Sequence, residues 1–327
     1  MVPSIMSKLF LRKVIDSDFN SIAELQSLLW GGELLYRLEM IQWKCGALNS
    51  SKFKGAVALE NDKIVGYRGI VHSQAKIQGK VYDLLHYTDA IVHPDYRGKK
   101  ILVQLNDFIT ETYKNCFDFT FIFFPNKVSG HIYRTQKNID FLSINFFYRK
   151  FLLPIRSKVD FEMHEKNEVI AEKILRVNKS SKDIMKFEFS SAYLNWKLQE
   201  PNRTFLLIES KSNSDVLVLV EKKPNRIEIL FLNYSFVDEC LHIVSHYARN
   251  NFVFIIDFPL ACSQERKIAA SLNQNRFRKW VFVNRIKSNF FSQKPILSKK
   301  INEHLTEEEE KLFLDVGIWN YHHIIYV

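Results

Sequence analysis

The spacing of apolar and polar residues predicts a mixed α/β chain. Alternating positions indicate strands, and apolar residues three and four apart indicate amphipathic helices. Turn residues at Asn61-Asp62 and Gln78-Gly79-Lys80 join three strands into an antiparallel meander. The elements predicted for the first part are strand 8–14, helices 19–30 and 33–45, strands 55–60, 64–78 and 81–92, helix 100–114, strand 119–124, helix 126–136 and a strand within 140–152.

The second part of the chain repeats much of this order without detectable sequence identity. A boundary is predicted at Leu153-Pro154, where a charged stretch begins, so the predicted units are 1–153 and 154–327. The elements predicted for the second unit are helix 192–199, strands 204–210, 215–222 and 227–233, helix 236–249, strand 252–257, helix 263–274, strand 279–286, helix 306–314 and strand 318–327.

Composition indicates a folded, basic protein. The 327 residues are 46% hydrophobic and 14% aromatic, which is enough for packed cores and excludes disorder as the main state. The formal charge of +10 favours anionic partners. No helix-turn-helix, finger or RNA-binding signature is found, so nucleic acid is not an expected partner.

The cysteine spacing and the hydropathy of the chain indicate where in the cell the protein is expected. Cys45, Cys116, Cys240 and Cys262 lie far apart without metal-ligand spacing, so we expect reduced thiols and no metal. No signal segment is found, and no apolar stretch approaches the roughly 20 residues that cross a bilayer. We therefore expect a cytoplasmic protein with no membrane span.

A strand, a basic loop and a helix follow one another over 88–109. The strand ends before Pro94, and the helix that follows has apolar residues at 101, 105, 108 and 109. The first N–H groups of a helix and its positive dipole end favour an anion, and a pyrophosphate suits them best. Arg97, Lys99 and Lys100 add charge there, so this segment is a candidate anion site.

The run V-H-P-D-Y-R-G-K-K-I, from Val92 to Ile101, resembles the acetyl-CoA loop of the GNAT superfamily of N-acetyltransferases. The usual form of that loop is V-x-P-x-Y-R-G-K-G-I-G. Arg97 matches its arginine, whereas Lys100 and Leu102 stand where glycines are expected. The lysine places a side chain where backbone and pyrophosphate should approach closely.

A second motif follows the next predicted strand. Asn126, Ser129 and Tyr133 fall in register with the family pattern N-x-x-A-x-x-x-Y. The resemblance covers roughly residues 8–150, and the order of elements there is the GNAT order. It implies a mixed-sheet α/β fold of the acyl-CoA N-acyltransferase type, in tandem with a degenerate GNAT-like second unit that shapes the acceptor cleft or is structural.

The resemblance implies that the loop holds acetyl-CoA as a co-substrate. It also implies that the Val92 N–H stabilises the tetrahedral oxyanion and that Tyr133 is the general acid that protonates the departing thiolate. The residues implied to contact the coenzyme are Val92, Arg97, Gly98, Lys99, Lys100, Ile101, Leu102, Asn126 and Ser129.

The resemblance also implies a general base, from the position that this base has in other family members. In several GNAT enzymes a carboxylate eleven residues before the loop arginine accepts the amine proton, and His86 occupies that position here. In a regular strand His86 and Val92 share one face, which places His86 beside the oxyanion site. Asp83 and Asp89 are alternatives, with Asp89 predicted on the opposite face, and a chain of waters is another.

The first two helices form one wall of the acceptor cleft in the GNAT arrangement. Glu33, Tyr36 and Arg37 are therefore candidate substrate-binding residues, and Trp43 could also face the acceptor. Helix residues of these types are more often packing or solvated residues.

The function implied is direct transfer of an acetyl group from acetyl-CoA to a primary amine of a small molecule. Long two-module chains of this kind are similar to those that modify amino sugars for bacterial surface polysaccharides, so an amino sugar or its nucleotide-linked form is the expected acceptor. One alternative is a degenerate GNAT scaffold that binds, senses or assembles without turnover. Another is transfer of an aminoacyl or fatty-acyl group, and homodimer formation is left open.

Overall fold

The computed structural model of the chain describes residues 9–46, 54–123, 140–152, 159–180, 185–279, 294–300, 306 and 319–320. Within these residues the α-helices are α1 (Phe19–Trp30), α2 (Leu34–Cys45), α3 (Ile101–Tyr113), α4 (Asn167–Ser180), α5 (Ser191–Lys197), α6 (Val237–Asn250) and α7 (Cys262–Gln274). None of these helices is both long and apolar enough to cross a membrane.

The strands of the same residues are β1 (Phe10–Lys13), β2 (Ala56–Glu60), β3 (Lys63–Ile77), β4 (Lys80–Val92), β5 (Phe119–Phe123), β6 (Asp140–Phe151), β7 (Phe161–His164), β8 (Met185–Glu188), β9 (Thr204–Ser210), β10 (Leu217–Lys223), β11 (Arg226–Leu232), β12 (Ile255–Ala261), β13 (Arg278–Lys279), β14 (Lys294–Lys300) and β15 (Trp319–Asn320). The predicted helices 126–136 and 306–314 and most of the predicted strands 279–286 and 318–327 lie outside the described residues. The other predicted elements are confirmed to within a few residues.

The strands join in one mixed sheet, which agrees with the predicted fold class. Its order is β1-β2-β3-β4-β5-β14-β6-β12-β11-β10-β9-β7, with β8, β13 and β15 attached beside this path. Beside this path β8 and β15 are parallel. Along the path most neighbours are antiparallel, but β4 and β5 are parallel, as are β11 and β12. Each of these parallel pairs is joined by a crossover helix, α3 or α6. The predicted repeat of three strands, a helix and a strand is therefore present in both halves.

The two halves exchange strands. β14, from the second half, lies between β5 and β6, with Ile296 opposite Phe123 on one side and Ser143 on the other. β6, from the first half, pairs with β12, where Phe151 is opposite Ile255. Hydrogen bonding therefore continues across the predicted boundary at 153/154, and the division into 1–153 and 154–327 stays a prediction.

The apolar face of α3 fixes the helix against the first half of the sheet. Ile101, Leu105 and Ile109, four residues apart, are at most 2% exposed and pack with residues of β2, β3 and β4. Four-residue spacing places them on one helix face, as the sequence predicts. This contact determines where the first turn of α3 lies relative to the end of β4.

Two tryptophans join α2 to α5. The rings of Trp43 and Trp196 stack with centroids 4.7 Å apart and planes 8° apart. Each indole N–H donates to the other residue's backbone carbonyl at 2.8 Å. Lys197, fully buried, lies with Nζ 5.3 Å from the Trp43 ring centroid. The helix predicted to line the acceptor cleft is thus held by the second half of the chain, and Trp43 is used for this contact.

Candidate functional site

Strands β4 and β5 separate near the end of β4. Their parallel pairing runs from Leu84 opposite Phe119 to Tyr87 opposite Ile122. No further pairing between them occurs in the described residues, although β4 continues to Val92. Among the described residues, the part of β4 from Thr88 to Val92 therefore has no partner on the β5 side, and we call that side of it the strand opening.

The N–H of Val92 points into this opening. Alternate N–H groups of a strand point to opposite edges, and His93 donates its N–H to the Val65 carbonyl of β3 at 2.9 Å. Val92, which lies opposite Gly66 of β3, therefore directs its own N–H towards the β5 side. This orientation suits an oxyanion donor, although the role of Val92 stays a prediction.

The loop after β4 leads directly into α3. A 3-10 turn spans Pro94–Tyr96, and residues 97–100 are all exposed. Gly98 has φ +80°, and Lys100, immediately before the helix, has φ 57°. Lys100 thus keeps the left-handed backbone that the expected glycine would favour, at a cost of about 1 kcal/mol. The Lys-for-Gly replacement leaves the turn in place.

The start of α3 presents N–H groups beside positive charge. The first intrahelical bond runs from the Gln104 N–H to the Lys100 carbonyl at 3.1 Å. The N–H groups before it, at 101–103, are those of a helix N-terminus and suit an anion. Lys99 lies with Nζ 4.4 Å from the Tyr96 ring centroid, and Gln104 also donates its side-chain amide to the Lys99 carbonyl at 3.1 Å.

Two contacts keep loop side chains away from a bound coenzyme. The Ile101 side chain is buried, and a Cβ placed on Gly66 would come within 2.8 Å of it, so only the Ile101 backbone faces the loop. The Tyr96 hydroxyl donates to Glu60, and this hydrogen bond raises the pKa of Tyr96. Leu102 is half-buried at the first turn. The predicted coenzyme contact by the loop would therefore rest on backbone groups and on Arg97, Lys99 and Lys100.

His86 lies within the paired part of β4. It is opposite Val71 of β3 and Phe121 of β5, is 3% exposed, and is hydrogen-bonded to the Ser73 hydroxyl. Burial lowers the pKa of His86 to about 3, and the nearby His72 contributes. Its imidazole therefore stays neutral near pH 7, and its conjugate acid is too strong for efficient proton acceptance. The predicted role as base is untested, but its burial argues against it.

A β-bulge changes which residues share a face of β4. Ile70 is opposite Tyr87 and Arg68 is opposite Ala90, so Gly69 alone faces Thr88 and Asp89. The extra residue inverts the alternation beyond this point.

The prediction that His86 and Val92 share a face is therefore wrong. Val92 packs with the apolar residues of α3, so it lies on the α3 side of the sheet. Val71, which is opposite His86, packs with Trp43 of α2, so His86 lies on the α2 side. The same bulge places Asp89 on the α2 side together with His86, contrary to the prediction of opposite faces.

Asp89 pairs with Lys44 of α2 where β4 has already left β5. Both carboxylate oxygens lie 2.9 Å from Lys44 Nζ, and the Asp89 side chain is 11% exposed. Asp83 lies at the other end of β4, where it bonds His72 at 2.7 Å. Of the three predicted base candidates, Asp89 is the one located at the strand opening.

The predicted acceptor-binding residues lie at the turn between α1 and α2. Glu33 is exposed at the start of α2, and Tyr36 is half-buried. Arg37 donates Nε and Nη2 to the Gly31 carbonyl at 3.0 and 2.8 Å, and its guanidinium lies over the Trp30 ring. Arg37 thus stabilises the helix-helix turn, and the substrate roles of these three residues stay predictions.

Asn126, Ser129 and Tyr133 lie outside the described residues. Their predicted roles as coenzyme contacts and general acid therefore stay predictions. Lys44 is a site residue that the sequence analysis missed. The sequence did carry a sign of it. Lys44 stands three residues after Ile41, on the apolar face of α2, and a charge on a buried face needs a partner.

One cluster of metal-ligand type, Glu162, His164 and Glu209, is found in the described part of the chain. Lys173 Nζ lies 2.6 Å from the Glu209 carboxylate, and Arg176 lies 3.3 Å from its other oxygen. The Glu209 carboxylate is therefore already paired with two cations of the chain, which disfavours a metal ion beside it.

Acid is expected to destabilise the protein through His86. Its pKa is about 3 when folded, against roughly 6.5 for an unfolded histidine. The unfolded state therefore binds more protons below pH 6.5, and stability falls as the pH is lowered from 6.5 towards 3, by up to about 1.4 kcal/mol per pH unit. Urea unfolding of wild type and His86→Gln between pH 4 and 7 measures this. The variant should show a shallower slope, and an equal slope would contradict the assignment.

Comparison with known proteins agrees with the fold. Residues 11–136 match the Acetyltransferase (GNAT) domain family. No curated protein matches the chain significantly. Similar solved structures include a probable N-acyltransferase from Enterococcus faecalis, with TM-score 0.65, 12% identity and coverage of 94% of this chain and 74% of that one.

Two further structures have the same fold. A GCN5-related N-acetyltransferase from Kribbella flavida has TM-score 0.62 and 11% identity, and the match covers 90% of this chain and 72% of that one. N-myristoyltransferase of Saccharomyces cerevisiae with bound myristoyl-CoA has TM-score 0.57 and 10% identity, over 91% of this chain and 84% of that one. At such identities the likeness concerns the fold. Residues 11–136 of this chain therefore match the GNAT acetyltransferase domain family, and the chain has the fold of the GNAT N-acetyltransferases.

Proposed function

We propose that this protein is an acyl-CoA-dependent N-acetyltransferase that moves an acetyl group from acetyl-CoA to a primary amine of a small molecule. The observation that carries the proposal is the opening between β4 and β5, which lies directly before a basic loop and the first turn of α3. A thioester seated there would have its pyrophosphate at the helix N-terminus and its carbonyl beside Val92.

The reaction would proceed by direct attack. The neutral amine attacks the thioester carbonyl, and the negative charge that develops on oxygen is stabilised by the Val92 N–H. Collapse of the tetrahedral intermediate releases the coenzyme thiolate, which must be protonated. The loop from Arg97 to Leu102 holds the coenzyme throughout, so no covalent enzyme intermediate is needed.

Asp89 is the general base in this proposal. It is a carboxylate at the open part of β4, whereas His86 is buried in the paired part with a pKa near 3. Lys44 Nζ donates to both Asp89 carboxylate oxygens at 2.9 Å and so holds the carboxylate towards α2, where the acceptor amine would enter. The amine nitrogen becomes positively charged when it bonds to the carbonyl carbon, and its proton would then pass to Asp89, directly or through one water.

Tyr133 is the proposed general acid, and its replacement tests the proposal. Tyr133→Phe should lower kcat by about tenfold, because solvent can also protonate the thiolate, while leaving acetyl-CoA affinity nearly unchanged. Release of free thiol from acetyl-CoA in the presence of an amine gives kcat, and calorimetry gives affinity. A large loss of affinity with normal turnover would count against the assignment.

The acceptor proposed is an amino sugar or its nucleotide-linked form, as the sequence expectation has it. A net charge of +10 favours an anionic acceptor, and nucleotide-linked sugars carry phosphates. The proposal keeps the expected cytoplasmic location, where acetyl-CoA is found. Thiol release with an amino-sugar nucleotide but not with the matched N-acetylated sugar supports this acceptor. Equal release with both, or with neither, contradicts it.

A further inference from the structure

The second half of the chain covers the face of the sheet on which Asp89 lies. Strand β8 pairs with the Gln74–Ile77 part of β3. Helix α5 packs on the same strand, where Trp196 and Val71 belong to one buried cluster. Val71 is on the α2 side of the sheet, and so is Asp89, which pairs with Lys44 of α2. The second half therefore stands beside the proposed base and not only beside the first sheet.

The contact between α5 and α2 fixes the direction of α2 as well as its distance. Trp196 and Trp43 are 2% and 4% exposed, and their rings stack with centroids 4.7 Å apart. Stacked rings alone can slide over one another. Here the two indole N–H groups donate in opposite directions, each to the other residue's backbone carbonyl at 2.8 Å. Sliding would leave buried polar groups unbonded, so the backbone of α2 is held at Trp43.

Lys44 follows Trp43 in the last turn of α2. Its Nζ lies 2.9 Å from both Asp89 oxygens, and the two side chains are 10% and 11% exposed. A lysine ammonium is a point charge on a flexible stem, so its place depends on where the helix backbone stands. Ile41 and Cys45 pack in a different cluster together with α1. This turn of α2 is therefore held by the first half on one side and by Trp196 on the other.

Charged residues anchor α5 within the second half. Lys197, next to Trp196, is fully buried, and its Nζ donates to Glu200 at 2.8 Å. Glu200 also accepts from Arg203 at 2.6 Å, and Arg203 pairs with Glu221 of β10. Because Lys197 has no exposed surface, it cannot touch an acceptor. The ion pairs instead connect the end of α5 to the second half of the sheet, so that Trp196 stands on a fixed support.

We infer that Trp196 is a positioning residue for the general base: it places the last turn of α2 so that Lys44 holds Asp89 at the strand opening. The inference rests on the proposed role of Asp89. Trp196 acts through Trp43 and Lys44 and does not itself touch a substrate. Misplacing a reacting group by about 1 Å can cost roughly 100-fold in rate, so a contact at this distance from the chemistry can determine turnover. The second half thereby completes a site whose reacting groups belong to the first.

Trp196→Phe tests the inference, because it keeps a ring that can stack and removes the N–H that bonds the Trp43 carbonyl. Thiol release should show kcat/KM lowered at least about fivefold, while calorimetry should show acetyl-CoA affinity changed less than about twofold. In the Asp89→Asn background the same change should alter kcat/KM less than about twofold, because the carboxylate that Trp196 positions is no longer present. Equal losses in the two backgrounds would overturn the inference.

Ile243→Val is the matched control for lost stability. Ile243 of α6 is 3% exposed and belongs to a core cluster of the second half that contains no residue of α2. Removing one buried methylene destabilises the fold modestly, as loss of one buried hydrogen bond does. Ile243→Val should nevertheless keep kcat/KM. A loss as large as that of Trp196→Phe would show that reduced stability, and not positioning, lowers turnover.

Backbone hydrogen exchange provides a readout that does not depend on turnover. Trp196→Phe should speed exchange at least about fivefold at amides 41–45 of α2 and also at amides 87–92 of β4, and Ile243→Val should not. Faster exchange at 41–45 alone, or at neither segment, would overturn the inference. Absence of thiol release by wild type would reject the proposed function, whereas exchange would still decide whether Trp196 holds the Asp89 segment. Should Trp196→Phe fail to fold, Trp43→Phe, which removes the other hydrogen bond, replaces it with the same expectations.

Discussion

Replacing Trp43 with Ala is expected to lower the free energy of unfolding by about 4 kcal/mol. The side chain is 4% exposed, stacks on Trp196 and donates a 2.8 Å hydrogen bond to the Trp196 carbonyl. Its removal leaves a cavity in which the fully buried Lys197 loses the ring beneath its ammonium. Urea unfolding followed by circular dichroism measures the loss.

Trp30→Ala is the matched control for this change. Trp30 lies at the end of α1 and is 46% exposed, so its removal should cost about 1 kcal/mol or less. The same result for both variants would mean that the contact between α2 and α5 does not stabilise the two halves together. Trp43→Ala should also make unfolding less cooperative, because this contact connects helices of different halves.

Replacing Asp89 with Asn is expected to lower kcat/KM by about 10²–10⁴-fold, the usual contribution of a general base. Asn has the same shape but cannot accept the amine proton. Acetyl-CoA affinity should be unchanged, because the Asp89 carboxylate bonds Lys44 of α2 and does not belong to the loop from Arg97 to Leu102. Steady-state thiol release and calorimetry separate the two effects.

The Lys44→Met variant separates the catalytic role of Asp89 from the contribution of the Asp89–Lys44 ion pair to stability. Breaking a nearly buried ion pair destabilises the fold, so both Asp89→Asn and Lys44→Met should lower Tm. Lys44→Met nevertheless leaves the carboxylate and should keep turnover. Equal loss of turnover in both variants would show a structural role alone.

His86→Gln provides a further comparison. His86 is buried and neutral, so this variant should retain most of the activity that Asp89→Asn loses. The opposite order of effects would restore His86 as the base.

The fold was largely predictable because its repeating unit has clear periodicity. The α3 stripe of Ile101, Leu105 and Ile109 and the basic loop before it are local features, and the structure has them as predicted. α4 was missed, although Ile170, Ile174 and Val177 have helical spacing and are buried. Its many charged residues concealed that spacing.

The details of the site could not be read from the sequence. The face shared by His86 and Val92 depends on a bulge opposite Gly69, and an extra residue in one strand has no signature without its partner strand. The Asp89–Lys44 pair joins residues far apart in the chain. The exchange of β14 and β6 between halves is likewise a matter of long-range pairing, which periodicity does not encode.

Calorimetric titration of the full chain with acetyl-CoA tests the central claim most directly. The account predicts saturable binding with Kd between about 1 μM and 1 mM, as for an enzyme's substrate. Changing both Lys99 and Lys100 to Ala should weaken it at least about tenfold through lost phosphate contacts. Absence of binding by wild type, or equal binding by the double variant, would contradict coenzyme binding at the loop from Arg97 to Leu102.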